Sequence, residues 1–529
     1  MIRDTNQSCY YFLFKNTMQN REDHAIICDD TSVTFFQLNE YILSFAQYLY
    51  ENDIRSGDVV TICLPTSMQS IISFYAVNSL GAIANFLHPL LNDDRLRENL
   101  LLTKSKMMIA MEDTCRKVLE QKQLDLSAVS CAYAAGTQPN RLMMDQAEDF
   151  HEIIARDNHL AQAFLPDHNG AAIACYLHGG GTTGTNKIIK LSNYAINEVI
   201  YKASKVVKPE FRKSQTMLSV LPIFHSFGLA TAVHLPLCMG WCTVPVMKFD
   251  AYQTNELIRK HKVSAIMGVP EIYKKLMLAD NFKGSHLKNI NWCATGGDFI
   301  DEKLLSDFNS IIRKYGARGE IYRGYGLTEV CSVCAVNTYA DCRINSVGKP
   351  IEGISIQIWN DQKEAVKPNE IGQIVVAGST LMEGYLETQG DAQIGLYEDS
   401  NQTKWVLTGD LGYLDEDGFL YVVGRAKRMI IISGYNVYPY DIEAKVTQLD
   451  EVFEACAVQG EHNGKPIIRL FVVLSAQGNS NREKAVQKIR SHCSGQLPYY
   501  SCPREIVLLE QMPRTLIGKV NYVVLERQK

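Results

Sequence analysis

One glycine-rich segment, residues 176–187, narrows the choice of folds for this chain more than any other. The apolar run from residue 171 to 177 predicts a buried strand, and the strand leads into Tyr176-Leu-His-Gly-Gly-Gly-Thr-Thr-Gly-Thr-Asn-Lys187. Glycines allow a tight turn and a close approach of backbone N–H groups to an anion. Ser192 and Asn193 can then cap a helix. The order strand, Gly/Thr loop, lysine is chemistry for holding a polyphosphate.

The loop has two other interpretations, a nucleotide-binding P-loop and a plain turn, and the spacing of its glycines and lysine bears on the first. The nucleotide-binding P-loop needs a lysine directly after the last glycine, followed by Ser or Thr. Here Lys187 comes three residues after Gly184, and Ile188 follows it, so the P-loop pattern fails. A plain glycine-rich turn without a ligand stays open on the loop alone.

Composition excludes several classes of function. A net charge of -5 over 529 residues argues against a nucleic-acid-binding surface. Fifteen cysteines without a dense, regular framework indicate reduced thiols and a cytoplasmic protein. Cys331 and Cys334 form a CxxC without a second pair, which favours a core position over a metal site. Polar residues interrupt the apolar windows 71–87 and 231–247, so we expect no transmembrane segment.

Along the chain, helical and strand patterns alternate and predict a layered α/β domain. A helix is expected from residue 34, a strand at 59–64 and a second helix at 66–80. Residues 111–170 are weakly periodic and give no assignment. Further strands are expected near 216–221, 265–269, 291–295 and 320–323. From 350 to 425 the pattern becomes β, with a hairpin turn at Asp417-Gly418.

The organisation changes after a charged break at residues 425–428. The last hundred or so residues predict a small α+β unit: a helix starting at Pro439, strands near 453–459, 466–475 and 505–509, and a helix near 481–496. The predicted architecture is therefore a large N-terminal layered α/β domain with β-sheets, residues 1–426, joined by a hinge to a small C-terminal α+β domain, residues 427–529.

Several later motifs carry chemistry that fits the opening loop. Tyr325-Gly-Leu-Thr-Glu329 ends a strand with a hydroxyl and a carboxylate, and Thr408-Gly-Asp410 offers an aspartate suited to paired sugar hydroxyls. Gly424-Arg425 follows another strand, and Pro513-Arg-Thr-Leu-Ile-Gly-Lys519 places a lysine on a loop near the C-terminus. Each motif alone is more often a plain turn or a solvated lysine; their order along the chain is more informative.

In this order the motifs resemble those of the adenylate-forming superfamily of acyl-CoA synthetases, luciferases and adenylation domains. The resemblance covers about residues 30–525 and includes Leu221-Pro-Ile-Phe-His-Ser-Phe-Gly228 beside the acyl pocket and Ile432-Ser-Gly-Tyr-Asn-Val-Tyr-Pro439, the thioester-step loop. It implies two half-reactions. A carboxylic acid first attacks ATP to give acyl-AMP and pyrophosphate, and a thiol then takes the acyl group and releases AMP.

The resemblance also implies a role for individual residues. The residues that bind ATP or AMP would be Thr182, Thr183, Gly184, Lys187, Gly297, Asp298, Tyr325, Gly326, Asp410 and Arg425. The catalytic set would be Lys519, His225, Thr328 and Glu329, with Glu329 as the ligand of Mg²⁺. The acyl pocket would include His225, Phe227 and Gly228, the hinge would be Lys427, and the thioester-step loop would include Gly434 and Tyr435.

The chain departs from the family pattern at several positions. In the phosphate loop Gly180 replaces a serine, Asn186 a proline and Ile188 a glycine, which removes a hydroxyl donor and a rigid ring. Asp298 stands where a small residue is common, and Tyr522 where an arginine is. Because the threonines and Lys187 remain, we interpret the sequence as that of a divergent but competent enzyme.

The substrate and the acceptor are narrowed but not fixed. Phe224-His-Ser-Phe227 carries no carboxylate to pair an α-ammonium group, which disfavours amino acids and leaves fatty or aryl acids. CoA is the expected thiol. The phosphopantetheine of an acyl or peptidyl carrier protein is the alternative, and a non-catalytic sensor of acyl or adenylate ligands is a second alternative. The oligomeric state stays open.

Overall fold

The computed structural model describes residues 4–528, apart from 29, 120–126, 132–146, 157–168, 180–186, 212–214, 299–301, 387–394, 433–434, 463–464 and 516–518. Its helices and strands form a mixed α/β arrangement built on five sheets among the described residues. The predicted fold class is confirmed. No described helix is long and apolar enough to cross a membrane.

A nine-stranded sheet forms one layer of the large N-terminal part. Its strands, in spatial order, are Lys349–Pro350, Ser332–Val336, Ile321–Leu327, Trp292–Thr295, Ala265–Gly268, Thr216–Ser219, Cys242–Pro245, His24–Cys28 and Thr31–Thr34. The central strands are parallel, as βα alternation requires. The strands expected near 216–221, 265–269, 291–295 and 320–323 are all present here. Their carboxyl ends meet at one edge, where ligands bind in open α/β sheets.

A seven-stranded sheet forms the second layer. Its order is Ala147–Asp149, Ser127–Cys131, Met107–Met111, Val59–Cys63, Ile83–Phe86, Ile173–Gly179 and Lys187–Ser192. The last two strands run antiparallel and flank the glycine-rich loop. The loop itself, residues 180–186, lies outside the described residues. The predicted order of strand, loop and lysine is therefore tested only on either side of the loop. A strand does lead into it, and Lys187 begins the strand that follows.

Helices cover and separate these two sheets. They are Cys9–Thr17, Phe35–Glu51, Met68–Ser79, Asp93–Thr103, Glu112–Leu119, Phe150–Ile154, Asn193–Val206, Leu235–Cys238, Ala251–Lys260, Pro270–Leu278 and Glu302–Lys314. Every residue of Met68–Ser79 is buried, because this helix lies in the apolar core that both sheets share. Thr34 and Gln37 form a capping box that starts Phe35–Glu51 where the sequence predicts it.

A β-rich region follows the two layers. Its strands are Ile354–Trp359, Gly372–Gly378, Lys404–Leu414, Leu396–Glu398 and Leu420–Arg425. The hairpin predicted at Asp417-Gly418 is confirmed: Gly418 takes a positive φ of 80°, and Asp415 and Phe419 close the turn by backbone hydrogen bonds.

The C-terminal part has its own sheet and core. Strands Val452–His462, Lys465–Leu474 and Glu505–Leu509 form a three-stranded sheet, and Ile430–Ile432 pairs with Tyr435–Val437. Its helices are Pro439–Val446, Ala476–Asn479, Arg482–Gln496 and Tyr522–Glu526. One apolar core of this part draws only on residues from 430 onward, including Ile442, Leu470 and Ile489. The boundary between residues 426 and 427 stays a prediction.

Candidate active site

A buried carboxylate with two partners forms the best-defined part of the site. The Tyr325 hydroxyl donates to Asp410 Oδ2 (2.6 Å), and Arg425 Nε lies 2.8 Å from Asp410 Oδ1. Asp410 and Arg425 are directly opposite each other on antiparallel strands, which sets their distance. Tyr325, which precedes Asp410 by 85 positions, is thus brought together with Asp410 and Arg425, as the resemblance implies.

The backbone around Asp410 fixes its direction. Gly409 takes a positive φ of 72°, and the Thr408 hydroxyl accepts from the Asp410 N–H while donating to the Ile374 carbonyl. Burial raises the pKa of Asp410, and the positive charge of Arg425 and the Tyr325 hydrogen bond oppose that rise. The pocket therefore holds a carboxylate that can accept hydrogen bonds from ligand hydroxyls.

Two glycines allow neighbouring strand ends to lie unusually close. A Cβ at Gly326 would stand 1.5 Å from the Ser332 carbonyl oxygen, and one at Gly296 would stand 2.9 Å from the Gly324 oxygen. Gly297, with φ of 81°, turns the chain at this point and leaves Asp298 exposed. Close approach of the backbone therefore surrounds Gly297, Asp298 and Gly326, which the resemblance assigns to nucleotide binding.

Lys187 and Glu329 are joined through a residue that sequence reasoning missed. The Lys187 ammonium lies 4.8 Å from the centroid of the Tyr385 ring, and the Tyr385 hydroxyl donates to Glu329 Oε1 (3.2 Å). Tyr385 follows Gly384 in a loop with no recognisable spacing to either partner, so nothing in the pattern pointed to it. Thr182, Thr183 and Gly184 lie outside the described residues.

The predicted acyl motif contacts the predicted nucleotide motif. The Ser226 hydroxyl donates to Thr328 Oγ1 (3.4 Å), and Phe227 begins a π-helix, Phe227–His234. A Cβ at Gly228 would stand 1.9 Å from the Pro222 carbonyl oxygen, so only glycine fits this turn.

His225 is half-buried at this junction, with its Nε2 atom inside. Burial, the charge of Lys519 and the nearby imidazoles of His88 and His178 lower the pKa of His225 to about 4. Its Nε2 has no hydrogen-bond partner among the described residues. A buried ring nitrogen of this kind can serve a bound ligand.

Lys519 comes from the small C-terminal part and completes the cluster. The groups whose charges act on its ammonium include Asp298, Asp410, Glu329 and Arg425. Burial lowers the pKa of Lys519, whereas the three carboxylates oppose that change and favour the charged form. A lysine more than a hundred residues away from Asp410 in sequence is therefore close enough for the two charges to act on each other.

The remaining predicted residues lie on the small domain side. Lys427 is exposed in a single 3₁₀ turn, Ala426–Arg428. The following residue, Arg428, forms an ion pair with Glu443 (2.5 Å). Tyr435 is 48% exposed and stacks on Tyr500 with ring centroids 4.3 Å apart. Gly434 lies outside the described residues.

The donors present fit ATP with a magnesium ion. Within the described ranges, no group of three or more His, Cys, Asp or Glu side chains could enclose a metal alone. Mg²⁺ commonly takes one or two carboxylates and fills its other positions with water and substrate phosphates, a pattern that Glu329 can serve. Asp410 offers acceptors for ribose hydroxyls, and the Lys187 and Lys519 ammonium groups offer positive charge.

The chain is similar to a family of known enzymes. Residues 13–386 match the family described as AMP-binding enzyme, and residues 441–519 match the AMP-binding enzyme C-terminal domain. A long-chain-fatty-acid–CoA ligase of Bacillus subtilis (strain 168) is 25% identical over 513 residues, covering 92% of this chain and 88% of the relative. A 2-succinylbenzoate–CoA ligase of Geobacillus sp. (strain WCH70) is 26% identical over 511 residues, covering 96% and 95%.

Solved structures share the fold. The anthranilate CoA ligase AuaEII, in complex with anthranoyl-AMP, superposes with a TM-score of 0.86 at 21% identity, covering 99% of this chain and 97% of that one. The resemblance to adenylate-forming acid–thiol ligases is therefore confirmed, and the chain belongs to the AMP-binding enzyme family.

Proposed function

We propose that this protein activates a fatty or aryl carboxylic acid with ATP to an acyl-AMP and transfers the acyl group to CoA. The observation that carries the proposal is the pairing of the buried Asp410 carboxylate with Arg425 and Tyr325, together with the charges of Asp410, Glu329 and Arg425 that act on the Lys519 ammonium. The products would be acyl-CoA, AMP and pyrophosphate. The relatives named above, which are CoA ligases for fatty and aryl acids, support the same chemistry.

In this proposal the nucleoside binds in the slot beside Tyr325. Gly297, Asp298 and Gly326 would line the adenine, and the Asp410 carboxylate would accept hydrogen bonds from the ribose hydroxyls. Arg425, 2.8 Å from Asp410, would keep that carboxylate ionised and correctly turned. The Tyr325 hydroxyl, already donating to Asp410, adds rigidity and so lowers the entropy lost when the nucleotide binds.

The phosphate end would be bound by the loop at 182–184 together with Lys187. Glu329 would hold Mg²⁺, which neutralises phosphate charge when bound. Thr328 would contact the α-phosphate, and the Ser226 hydroxyl at 3.4 Å would orient it. Tyr385 would hold the Lys187 and Glu329 side chains in place, the first against its ring and the second by a hydrogen bond from its hydroxyl.

Lys519 would lie between the two reacting anions. The substrate carboxylate and the α-phosphate repel each other, and an ammonium between them would offset the repulsion as negative charge builds on the phosphate oxygens. Removing one such preorganised contact costs about 10²–10³ in rate. The low dielectric of the buried site makes the attraction stronger than it would be in water.

The acyl side favours an acid without a second charge. Phe224, neutral His225 and Phe227 would border the acyl group, and Gly228–His234 of the following π-helix is buried. No carboxylate stands in this motif to pair an ammonium group, which supports fatty and aryl acids over amino acids.

The second half-reaction would need another domain arrangement. Rotation about Lys427 would withdraw Lys519 and bring the loop around Gly434 and Tyr435 to the acyl-AMP. The neutral His225 would then lie where acyl group and thiol meet. The cytoplasmic location expected from cysteine usage is part of this proposal, and it is supported by the cysteines with described side chains, which are all free thiols.

The test is ATP–pyrophosphate exchange with the purified protein across a panel of fatty, aryl and amino acids. We expect exchange with a fatty or aryl acid and, once CoA is added, acyl-CoA and AMP. Exchange without acyl-CoA formation would support a carrier protein as the acceptor. No exchange with any acid would overturn the proposal in favour of a sensor.

A further inference from the structure

A second group of contacts joins the two domains away from the nucleotide pocket. It centres on the large-domain helix Pro270–Leu278. Glu271 Oε1 lies 3.4 Å from Arg514 Nη2, and Lys274 Nζ donates to the Phe453 carbonyl oxygen at 3.3 Å. The Lys274 ammonium also lies 5.7 Å from the centroid of the Phe453 ring. The charged groups of Glu271 and Lys274, both in the large domain, thus contact the small domain directly.

Arg514 belongs to the same short loop as Lys519. The Thr515 N–H donates to the Lys519 carbonyl (2.8 Å), and the Asn521 N–H donates to the Pro513 carbonyl (2.8 Å). Arg514 and Val520 are also paired as in a β-bridge. Because these bonds close the loop into a tight hairpin, the position of Arg514 constrains the position of Lys519.

A small-domain carboxylate holds the other side of Arg514. Glu454 Oε2 lies 2.8 Å from Arg514 Nη2, and the side chains of Arg514, Glu271 and Glu454 are only 22%, 21% and 15% exposed. Charges at this depth are less screened than surface pairs. Burial raises the pKa of Glu454 to about 7, with large-domain carboxylates adding to the rise and the Arg514 and Lys274 cations opposing it. The cluster is therefore electrostatically coupled across the domain interface.

Domain rotation would divide this cluster in a defined way. Glu454, Arg514 and Phe453 would move together with the small domain, whereas Glu271 and Lys274 would stay on the large domain. The contacts at 3.4 and 3.3 Å are present in this arrangement and would be lost on such a rotation. A contact present in only one of two states shifts the equilibrium toward that state.

We propose that Glu271 and Lys274 are positioning residues that hold the small domain in the adenylate-forming arrangement and, through Arg514, hold Lys519 in place. This inference rests on the proposed function and adds to it two residues that touch neither ATP nor acid. Residues of this kind affect the two half-reactions differently, because the contacts must break before the thiol step.

The experiment measures both half-reactions separately in Glu271→Gln, Lys274→Gln and the double variant. Pyrophosphate release in a single turnover reports adenylation, and thioester formation from premade acyl-AMP reports the second half. We expect adenylation to fall about 2- to 5-fold in each single variant, the range for partly screened ion pairs, and further in the double variant. Thioester formation should be unchanged or faster.

Glu320→Gln is the matched control, because it removes a pair with Arg313 (2.6 Å) that lies within the large domain. It should leave both half-reactions as in the wild type. An equal fall of both half-reactions in the Glu271 and Lys274 variants would overturn the inference, as would no change in either.

Amide hydrogen exchange separates this inference from the proposed function. Residues 270–278 and 452–456 should exchange faster in the double variant than in the wild type or Glu320→Gln. Unchanged exchange in both segments would overturn the positioning role. If the wild type formed no acyl-AMP with any acid, the proposed function would fail, and the exchange data would still decide whether these contacts hold the domains together.

Discussion

At the scale of single residues, the centre of the site is one buried carboxylate. The Asp410 side chain is 8% exposed and is paired on one side by Arg425 and on the other by Tyr325. Burial alone would favour its protonated form, and the two partners together favour the ionised form that can accept hydrogen bonds. The contact between Tyr325 and Asp410 therefore joins residues that are 85 positions apart in the sequence.

Asp410→Asn should weaken ATP use and leave the fold intact. The amide keeps the shape of the side chain but removes the charge that faces Arg425. Hydrogen bonds to charged groups contribute about 1.5–3 kcal/mol, so we expect kcat/KM for ATP to fall about 10- to 100-fold. The rate of pyrophosphate release over a range of ATP concentrations measures this kcat/KM. Asp417→Asn, which removes an exposed partner of Arg343, is the control; equal effects of both variants would contradict the role of Asp410.

Residue identities were predictable where a motif fixes them and not elsewhere. Asp410, Arg425 and Lys519 stand in short patterns whose chemistry and order can be recognised in sequence. Tyr385 and Glu271 stand in no such pattern, because their partners Glu329 and Arg514 are distant in sequence and the contacts arise only from tertiary packing. Physical reasoning on one sequence has no signal for such pairs.

At the scale of elements, the site depends on how closely the ends of strands approach. Ile321–Leu327 and Ser332–Val336 are joined by the short turn at Thr328–Val330, and Gly326 faces the Ser332 carbonyl oxygen directly. Any side chain there must move the backbone that carries Thr328 and Glu329. Packing of this kind is close to that of a crystal and has little room to adjust.

Gly326→Ala should therefore destabilise the protein, by about 3 kcal/mol or more in the free energy of unfolding, because its Cβ overlaps a backbone atom. Gly495→Ala, in the helix Arg482–Gln496 with nothing within 4 Å of its Cβ, should stabilise by about 0.5–1 kcal/mol. Urea unfolding measures both. A similar effect of the two substitutions would contradict the steric argument.

Elements with a strong pattern were predictable, and the others were not. The buried strands Val59–Cys63 and Ala265–Gly268 and the helix Asn193–Val206 occur where apolar runs and caps predict them. Phe150–Ile154 lies in the weakly periodic stretch 111–170, where the sequence gives no assignment. The strand Met107–Met111 is short, and its buried apolar run does not by itself distinguish a strand from a helix.

At the scale of the whole molecule, buried histidines link stability to pH. Burial lowers the pKa of His178 to about 4 and that of His234 to about 3, below the unfolded value near 6.5. The unfolded chain therefore binds more protons as the pH falls through 6.5, and the stability that depends on neutral histidine is lost between pH 6.5 and the folded pKa.

His178→Gln offers a direct check, since glutamine can still donate to Asn85. The stability of His178→Gln relative to the wild type should rise by up to about 3 kcal/mol as the pH falls from 7 to 4. At low pH the unfolded wild type gains a proton at His178, which favours unfolding, and the variant has no such group. Urea unfolding at both pH values measures the difference. A difference that does not vary with pH would mean that His178 is not held neutral.

The two-domain arrangement also predicts a specific effect at the hinge. Lys427→Pro fixes the backbone of the exposed turn Ala426–Arg428, and a fixed turn should spare adenylation while slowing thioester formation. Separate assays of the two half-reactions would show this. An unchanged rate of acyl-CoA formation would contradict a hinge at this position.

The most direct test of the account is Lys519→Ala, assayed for both half-reactions. Lys519 belongs to the small C-terminal part, and the charges of Asp410 and Glu329 in the large part act on its ammonium. Adenylation should fall by about 10²–10³ or more, since the positive charge proposed to act on both reacting anions is removed. Thioester formation from premade acyl-AMP should stay close to that of the wild type. Equal loss of both half-reactions, or full adenylation without Lys519, would contradict the central claim.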